Sequence, residues 1–140
     1  MALTLSEDAK NELLDEIGQN YISKIWATLV VCTPKILHYA IDPNQKRVQW
    51  INTYAYIGLT DTHLNIVTLS SLNVTVPTGQ FSIPRKDIEQ LSIIKKTFKY
   101  IVSFQLQGEL VRMNLSLTAI GINIKNQIQN VQTLVKALEN

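Results

Sequence analysis

One cysteine, Cys32, is all the thiol that these 140 residues contain, so there is no internal disulfide framework and no multi-cysteine zinc site. Glycine is also scarce, at five residues. Neither Gly-x-Gly-x-x-Gly nor a P-loop occurs, so no loop is built to cradle phosphates. Charged residues make up only 17%, against a usual ~25%. Formal net charge is +2, too small for a dedicated nucleic-acid binder. There is no long hydrophobic run. The most apolar stretch, residues 25–32, is far short of the ~20 residues that span a bilayer. The N-terminal stretch is acidic, whereas a secretory leader is basic and then apolar. These absences predict a cytoplasmic chain. Hydrophobic residues, at 46%, exclude global disorder. The length suits one domain with a substantial core.

Charge is unevenly placed. Residues 1–20 hold Glu7, Asp8, Glu12, Asp15 and Glu16 against Lys10, a net of −4, and the rest of the chain carries +6. Ser6 is positioned to cap a helix, with Glu7 and Asp8 at the positive end of its dipole. Ala9, Leu13, Leu14 and Ile17 form one helical stripe. Gly18-Gln19-Asn20 breaks it. Tyr21 or Ile22, Ile25, Trp26, Leu29 and Val30 then resume helical spacing. The spacing predicts a second helix over residues 21–31, with a strand as the alternative offered by the β-branched pair Val30-Val31. Thr33 precedes Pro34 and is pushed out of helical geometry. Residues 1–33 therefore form an expected N-terminal helical extension, and residues 34–140 the main body.

From Pro34 the texture becomes that of strands. Asp42-Pro43-Asn44-Gln45 has turn composition. Residues 48–59 are rich in Trp, Ile, Tyr and Thr, which suit a half-buried pleated surface. Residues 60–63 read as a tight connection, and 64–69 as a strand. Leu72, Val74 and Val76 alternate, Pro77-Thr78-Gly79 turns, and Phe81 and Ile83 resume the alternation. Residues 88–94 make another strand. Phe98, Tyr100, Val102, Phe104 and Leu106 then occupy every second position. Val111, Met113, Leu115 and Leu117 do the same after a turn at Gly108-Glu109. This is a hairpin with one buried face. Last, Ile124, Ile128, Val131, Val135 and Leu138 make one helical stripe, with Thr118 a candidate N-cap. The order is helices, about seven strands, then one helix. A long antiparallel run must close or be covered, because open edges invite wrong pairing.

Leu59-Thr60-Asp61-Thr62-His63-Leu64-Asn65-Ile66-Val67 resembles the "LTD-x-R-L-x-x-V" stretch of bacterial pleckstrin-homology-like domains, with His63 where that family usually has Arg. Residues 81–91, Phe-Ser-Ile-Pro-Arg-Lys-Asp-Ile-Glu-Gln-Leu, resemble their "x-x-I-P-x-x-x-I-x-x-V" stretch. The hairpin and the C-terminal helix follow in the family's order. The resemblance covers about residues 35–139. It implies an α+β, mainly β fold: a seven-stranded antiparallel barrel with a C-terminal capping helix, here with an N-terminal helical extension. Relatives bind lipid headgroups, phosphotyrosine or proline-rich peptides, or partner proteins, so the fold alone does not fix function.

Chemistry is sparse. His38 and His63 have no metal spacing, and Cys32 ends an apolar run where a thiol is inert. Asp61 reads as a turn-former. Nothing meets the geometric needs of acid–base catalysis. The expectation is a non-catalytic interaction module without metal or cofactor, self-associating or bound to a protein partner. Apolar residues of the N-terminal segment must bury, either against the barrel's outside or against a partner. Ile25, Trp26 and Leu29 are the candidate partner contacts, and an exposed strand edge is a second route. The alternative is peripheral attachment to anionic membrane through Lys46, Arg47, Lys95, Lys96 and Lys99. Nucleic acid is disfavoured as a partner.

Overall fold

The computed structural model describes residues 4–48, 52–118 and 122–140. The first helix, α1 (Glu7–Asp15), starts where the capping logic requires: Ser6 Oγ accepts from Ala9 N–H at 3.1 Å. Leu14 on its apolar stripe is fully buried, with Ala9, Leu13 and Ile17 beside it. The second helix does not form. Residues 23–31 are instead strand β1 (Ser23–Val31), the middle strand of the sheet. A helix and a doubly covered strand leave the same pattern when both faces are apolar. Ile25, Ala27 and Leu29 face the main core, while Trp26 faces α1. The expected boundary at residue 33 therefore falls between an inseparable central strand and its neighbours.

Strands β2 (Thr53–Leu59), β3 (His63–Leu69), β4 (Pro77–Pro84), β5 (Glu89–Lys95), β6 (Lys99–Leu106) and β7 (Glu109–Ser116) complete one antiparallel sheet in the order β4-β3-β2-β1-β7-β6-β5. Of the strand expected over 48–59, residues 49–51 lie outside the described residues. Residues 77–79, expected as a turn, open β4, and the alternating Leu72, Val74 and Val76 lie in the loop before it. The last hairpin turns at Gln107-Gly108, one residue earlier than expected. Both residues have positive φ, 51° and 82°, as a two-residue hairpin of this hand demands.

The sheet is not closed. Its edges are β4 and β5, so in place of the sealed barrel expected from the sequence there is an open sheet, with other elements packed on its core. A 3-10 helix (Pro34–Tyr39), capped by Thr33 Oγ1 accepting from Lys35 N–H at 3.1 Å, crosses one side and buries Ile36. Helix α2 (Gln127–Leu138) supplies Val131, Leu134, Val135 and Leu138 to the same core. Asn126, not Thr118, occupies its N-cap position. Ile128 is 52% exposed and Leu134 takes its expected place in the core.

Gln127 explains this rotation. Its side chain is buried, with Oε1 accepting from Trp26 N–H at 3.2 Å and Nε2 donating to Trp26 O at 2.9 Å and Ser116 O at 3.0 Å. The β1–β7 pairing is regular only near Thr28 and Leu29. Where the two strands part, the Gln127 amide takes the place of a strand neighbour.

A second cluster, Leu5, Leu14, Trp26, Tyr56, Val67, Leu69 and Ile124, lies between α1 and the outer face of β1–β3. The apolar N-terminal residues thus bury inside their own chain. Polar contacts fix the helix there. Lys10, 1% exposed, reaches Glu7 at 2.9 Å and Lys24 O at 3.3 Å. Burial raises the Glu7 pKa, but its bonds from Lys10, Lys125 N–H and Asn11 outweigh that and hold the carboxyl below its usual 4.5. Tyr21 donates to Leu14 O and accepts from Asn65 Nδ2 at 3.0 Å, while Ser82 Oγ donates to Asn65 Oδ1 at 2.5 Å.

Candidate functional site

The two edges of the sheet differ. Beside β4, Ala40 forms a bridge with Phe81, Ile41 N–H donates to Gln80 O at 2.9 Å, and Gln45 Nε2 donates to Thr78 O at 3.1 Å. The β1–β2 connection therefore covers that edge. Among the described residues nothing pairs with the outer side of β5. Lys96 N–H donates to Lys99 O at 2.8 Å across the β5–β6 turn, which sets the alternation of the ladder. Ile94 opposite Ile101 and Ser92 opposite Ser103 are the hydrogen-bonded pairs. Ile93 and Lys95 then direct their N–H and C=O groups away from β6. A bulge marked by Gln90, with φ of 51°, limits the regular open edge to the stretch after it.

A cleft of about 420 Å³ adjoins the start of this strand, lined by Ile88, Leu91, Leu138, Asp61, Arg85, Lys86 and Asn140. A neighbouring hollow shares Asp61, Arg85 and Lys86 with it. Arg85 is structural: its Nη2 donates to Ala137 O at 2.7 Å at the end of α2, and its Nη1 reaches Asp61 O at 3.4 Å in the β2–β3 turn. A guanidinium suits the negative end of a helix. Lys86 is exposed and makes no ion pair among the described residues. The cleft thus offers an apolar floor, one available cation on its rim and unpaired backbone alongside.

The residues singled out from sequence scatter. Ile25 and Leu29 are fully buried in the main core and have no surface for a partner. Trp26 is 6% exposed beneath α1, with its ring edge-on to Tyr54 at 5.9 Å between centroids. Its Nε1 is buried without a hydrogen-bond partner among the described residues. Lys46 and Arg47 are exposed on the β1–β2 connection. Lys95, Lys96 and Lys99 lie around the β5–β6 turn, at the opposite end of the strands. The five do not form one patch. Phe98, expected on the core face with Tyr100, is 67% exposed, because the alternation outruns the strand.

The groups that might have carried chemistry are committed elsewhere. Burial pushes the Cys32 thiol up to about 12, which keeps it from being a thiolate at neutral pH. The His38 ring bonds Gln107 Nε2 at 2.8 Å and the His63 ring bonds Thr62 Oγ1 at 2.8 Å. Among the described residues no three His, Cys, Asp or Glu side chains gather as a metal site, and no helix is long and apolar enough to cross a membrane. The β5 edge was missed as a specific site because an open edge is a property of pairing, which a strand's own residues do not record.

No protein-family model matches the chain, and no curated protein matches it. Among solved structures it is similar to the C-terminal domain of an unknown protein from Leishmania infantum, at 13% identity over 94% of each chain with a TM-score of 0.48. A likeness of that degree carries nothing about family or function.

Proposed function

We propose that the chain is a non-catalytic, pleckstrin-homology-like interaction module that binds an extended segment of a protein partner along β5. Support comes from seven antiparallel strands followed by a helix that packs on the core, the element order that the sequence resemblance implies, although the sheet stays open where that resemblance implies a closed barrel. The observation that carries the binding mode is the contrast between the edges: β4 is covered by the chain's own β1–β2 connection, and β5 is open beside a cleft of mixed polar and apolar lining. Strand addition satisfies the free N–H and C=O groups of Ile93 and Lys95, and pockets for alternate side chains give selectivity. Ile88, Leu91 and Leu138 favour an apolar side chain in the cleft, and Lys86 an acidic group next to it. A second copy of the chain carries the same edge, so mass in solution distinguishes self-pairing from a foreign segment.

The test removes a hydrogen-bond donor from the edge without disturbing the hairpin. Proline lacks an N–H but is tolerated on edge strands where that N–H faces outward. Peptides selected from a random library on the wild-type chain are expected to bind Lys95→Pro about tenfold more weakly, the loss of one hydrogen bond. Lys95→Gln, which keeps the N–H, is expected to bind them nearly as well. Equal affinity for Lys95→Pro and wild type would place the peptides elsewhere.

A further inference from the structure

The β5–β6 turn joins two features seldom left exposed together. Phe98 stands at its tip with 67% of its surface in water, and Lys95, Lys96 and Lys99 flank it. None of the three lysines makes an ion pair among the described residues. The turn's backbone is held on both sides: Lys96 N–H donates to Lys99 O, and Leu117 N–H donates to Phe98 O, each at 2.8 Å. The ring is thus presented by a fixed support and, among the described residues, left two-thirds exposed.

The geometry points to a bilayer-contacting turn that inserts Phe98 among the acyl chains at an anionic membrane surface while Lys95, Lys96 and Lys99 meet the lipid phosphates and carboxylates. An apolar ring gains by leaving water, and basic side chains beside it gain from the negative surface potential. Charge complementarity selects an anionic over a neutral surface. Single-stranded nucleic acid fits less well: it needs a basic groove with successive exposed rings, and here one ring stands on a convex tip while Tyr100 is half-buried. Lys46 and Arg47, at the other end of the strands, take no part. This contact draws on the Lys95 side chain, whereas segment binding on the β5 edge draws on the Lys95 backbone, so the two meet at that residue but are read by different experiments.

Co-sedimentation of the full chain with phosphatidylcholine vesicles, with and without phosphatidylserine and at low and raised salt, tests it. The expected result is phosphatidylserine-dependent binding that weakens with salt. Phe98→Ser is expected to weaken binding about tenfold. Replacing Lys95, Lys96 and Lys99 together with Gln should weaken it about a hundredfold, at about fivefold per lysine. Replacing Lys46 and Arg47 with Gln should leave binding unchanged. Equal binding to vesicles lacking phosphatidylserine, undiminished binding of Phe98→Ser, or an equal loss in the Lys46/Arg47 variant would overturn the proposal. So would tighter binding of a single-stranded oligonucleotide lost in the same turn variants.

Discussion

Gln127→Leu is expected to lower the unfolding free energy by about 3 kcal/mol, although leucine fills nearly the same volume and is the more apolar residue. The amide meets Trp26 N–H with its oxygen, and Trp26 O and Ser116 O with its nitrogen. Leucine leaves one buried donor and one buried acceptor on Trp26 without partners, each costing about 1–3 kcal/mol if water does not reach it, and frees the part-buried Ser116 O as well. Glutamate is no substitute, because its second oxygen would face two carbonyls. In a chain of this size the loss lowers the midpoint of thermal unfolding by about 10 °C, measured by calorimetry or circular dichroism. A Leu variant as stable as wild type would mean that β1 and β7 close on each other once the amide is gone.

The second large effect lies on the outer face. Gly58→Ala is expected to cost about 2 kcal/mol, as overpacking does. A Cβ there overlaps the edge of the Tyr21 ring, meeting Cε1 and lying 2.7 Å from Cδ1. The ring is held by its bonds to Leu14 O and Asn65 Nδ2 and does not swing aside freely. The cause is testable by a double-mutant cycle. In a Tyr21→Ala background the same change should cost little, since the overlap has gone. A full cost there would point to the strand itself rather than to the ring.

These two residues also show where sequence reading stopped. The capping of α1 by Ser6, its stripe through Leu14, the β6–β7 hairpin and the core positions Val131, Val135 and Leu138 of α2 were legible, because each follows from local periodicity and local hydrogen bonds; Leu134 in place of Ile128 was not. Strand β1 was misread because Ile25 and Leu29 fit a four-residue helical step as well as the alternation Ile25-Ala27-Leu29. Trp26 beneath α1 and Val30 put apolar residues on its other face as well, alternating with Lys24 and Thr28, and so blur the polar half of the pattern. Gln127 lies off the apolar stripe of the last helix, and nothing local reveals that β1 and β7 part beside it. Phe98 was assigned to the core by extending an alternation past the point where the sheet ends.

The candidate site was legible in kind, not in place. An exposed strand edge is a natural expectation for a run of antiparallel strands, but which strand stays open depends on where the β1–β2 connection lies. That connection covers β4 through Ala40, Ile41 and Gln45, residues far from β4 in sequence. Removing residues 1–33 as a supposed extension would delete the sheet's central strand. Probing α1 alone requires a cut before Tyr21, and even that bares Trp26, Tyr56 and Val67.

Amide hydrogen exchange along β5 tests the open edge most directly. In the monomeric chain the N–H groups of Ile93 and Lys95 should exchange almost as fast as in an unstructured peptide, while those of Ser92 and Ile94, bonded to β6, are protected. Adding a selected peptide should slow Ile93 and Lys95. Strong protection of Ile93 and Lys95 in the free monomer, or no slowing with the peptide bound, would contradict strand addition at this edge.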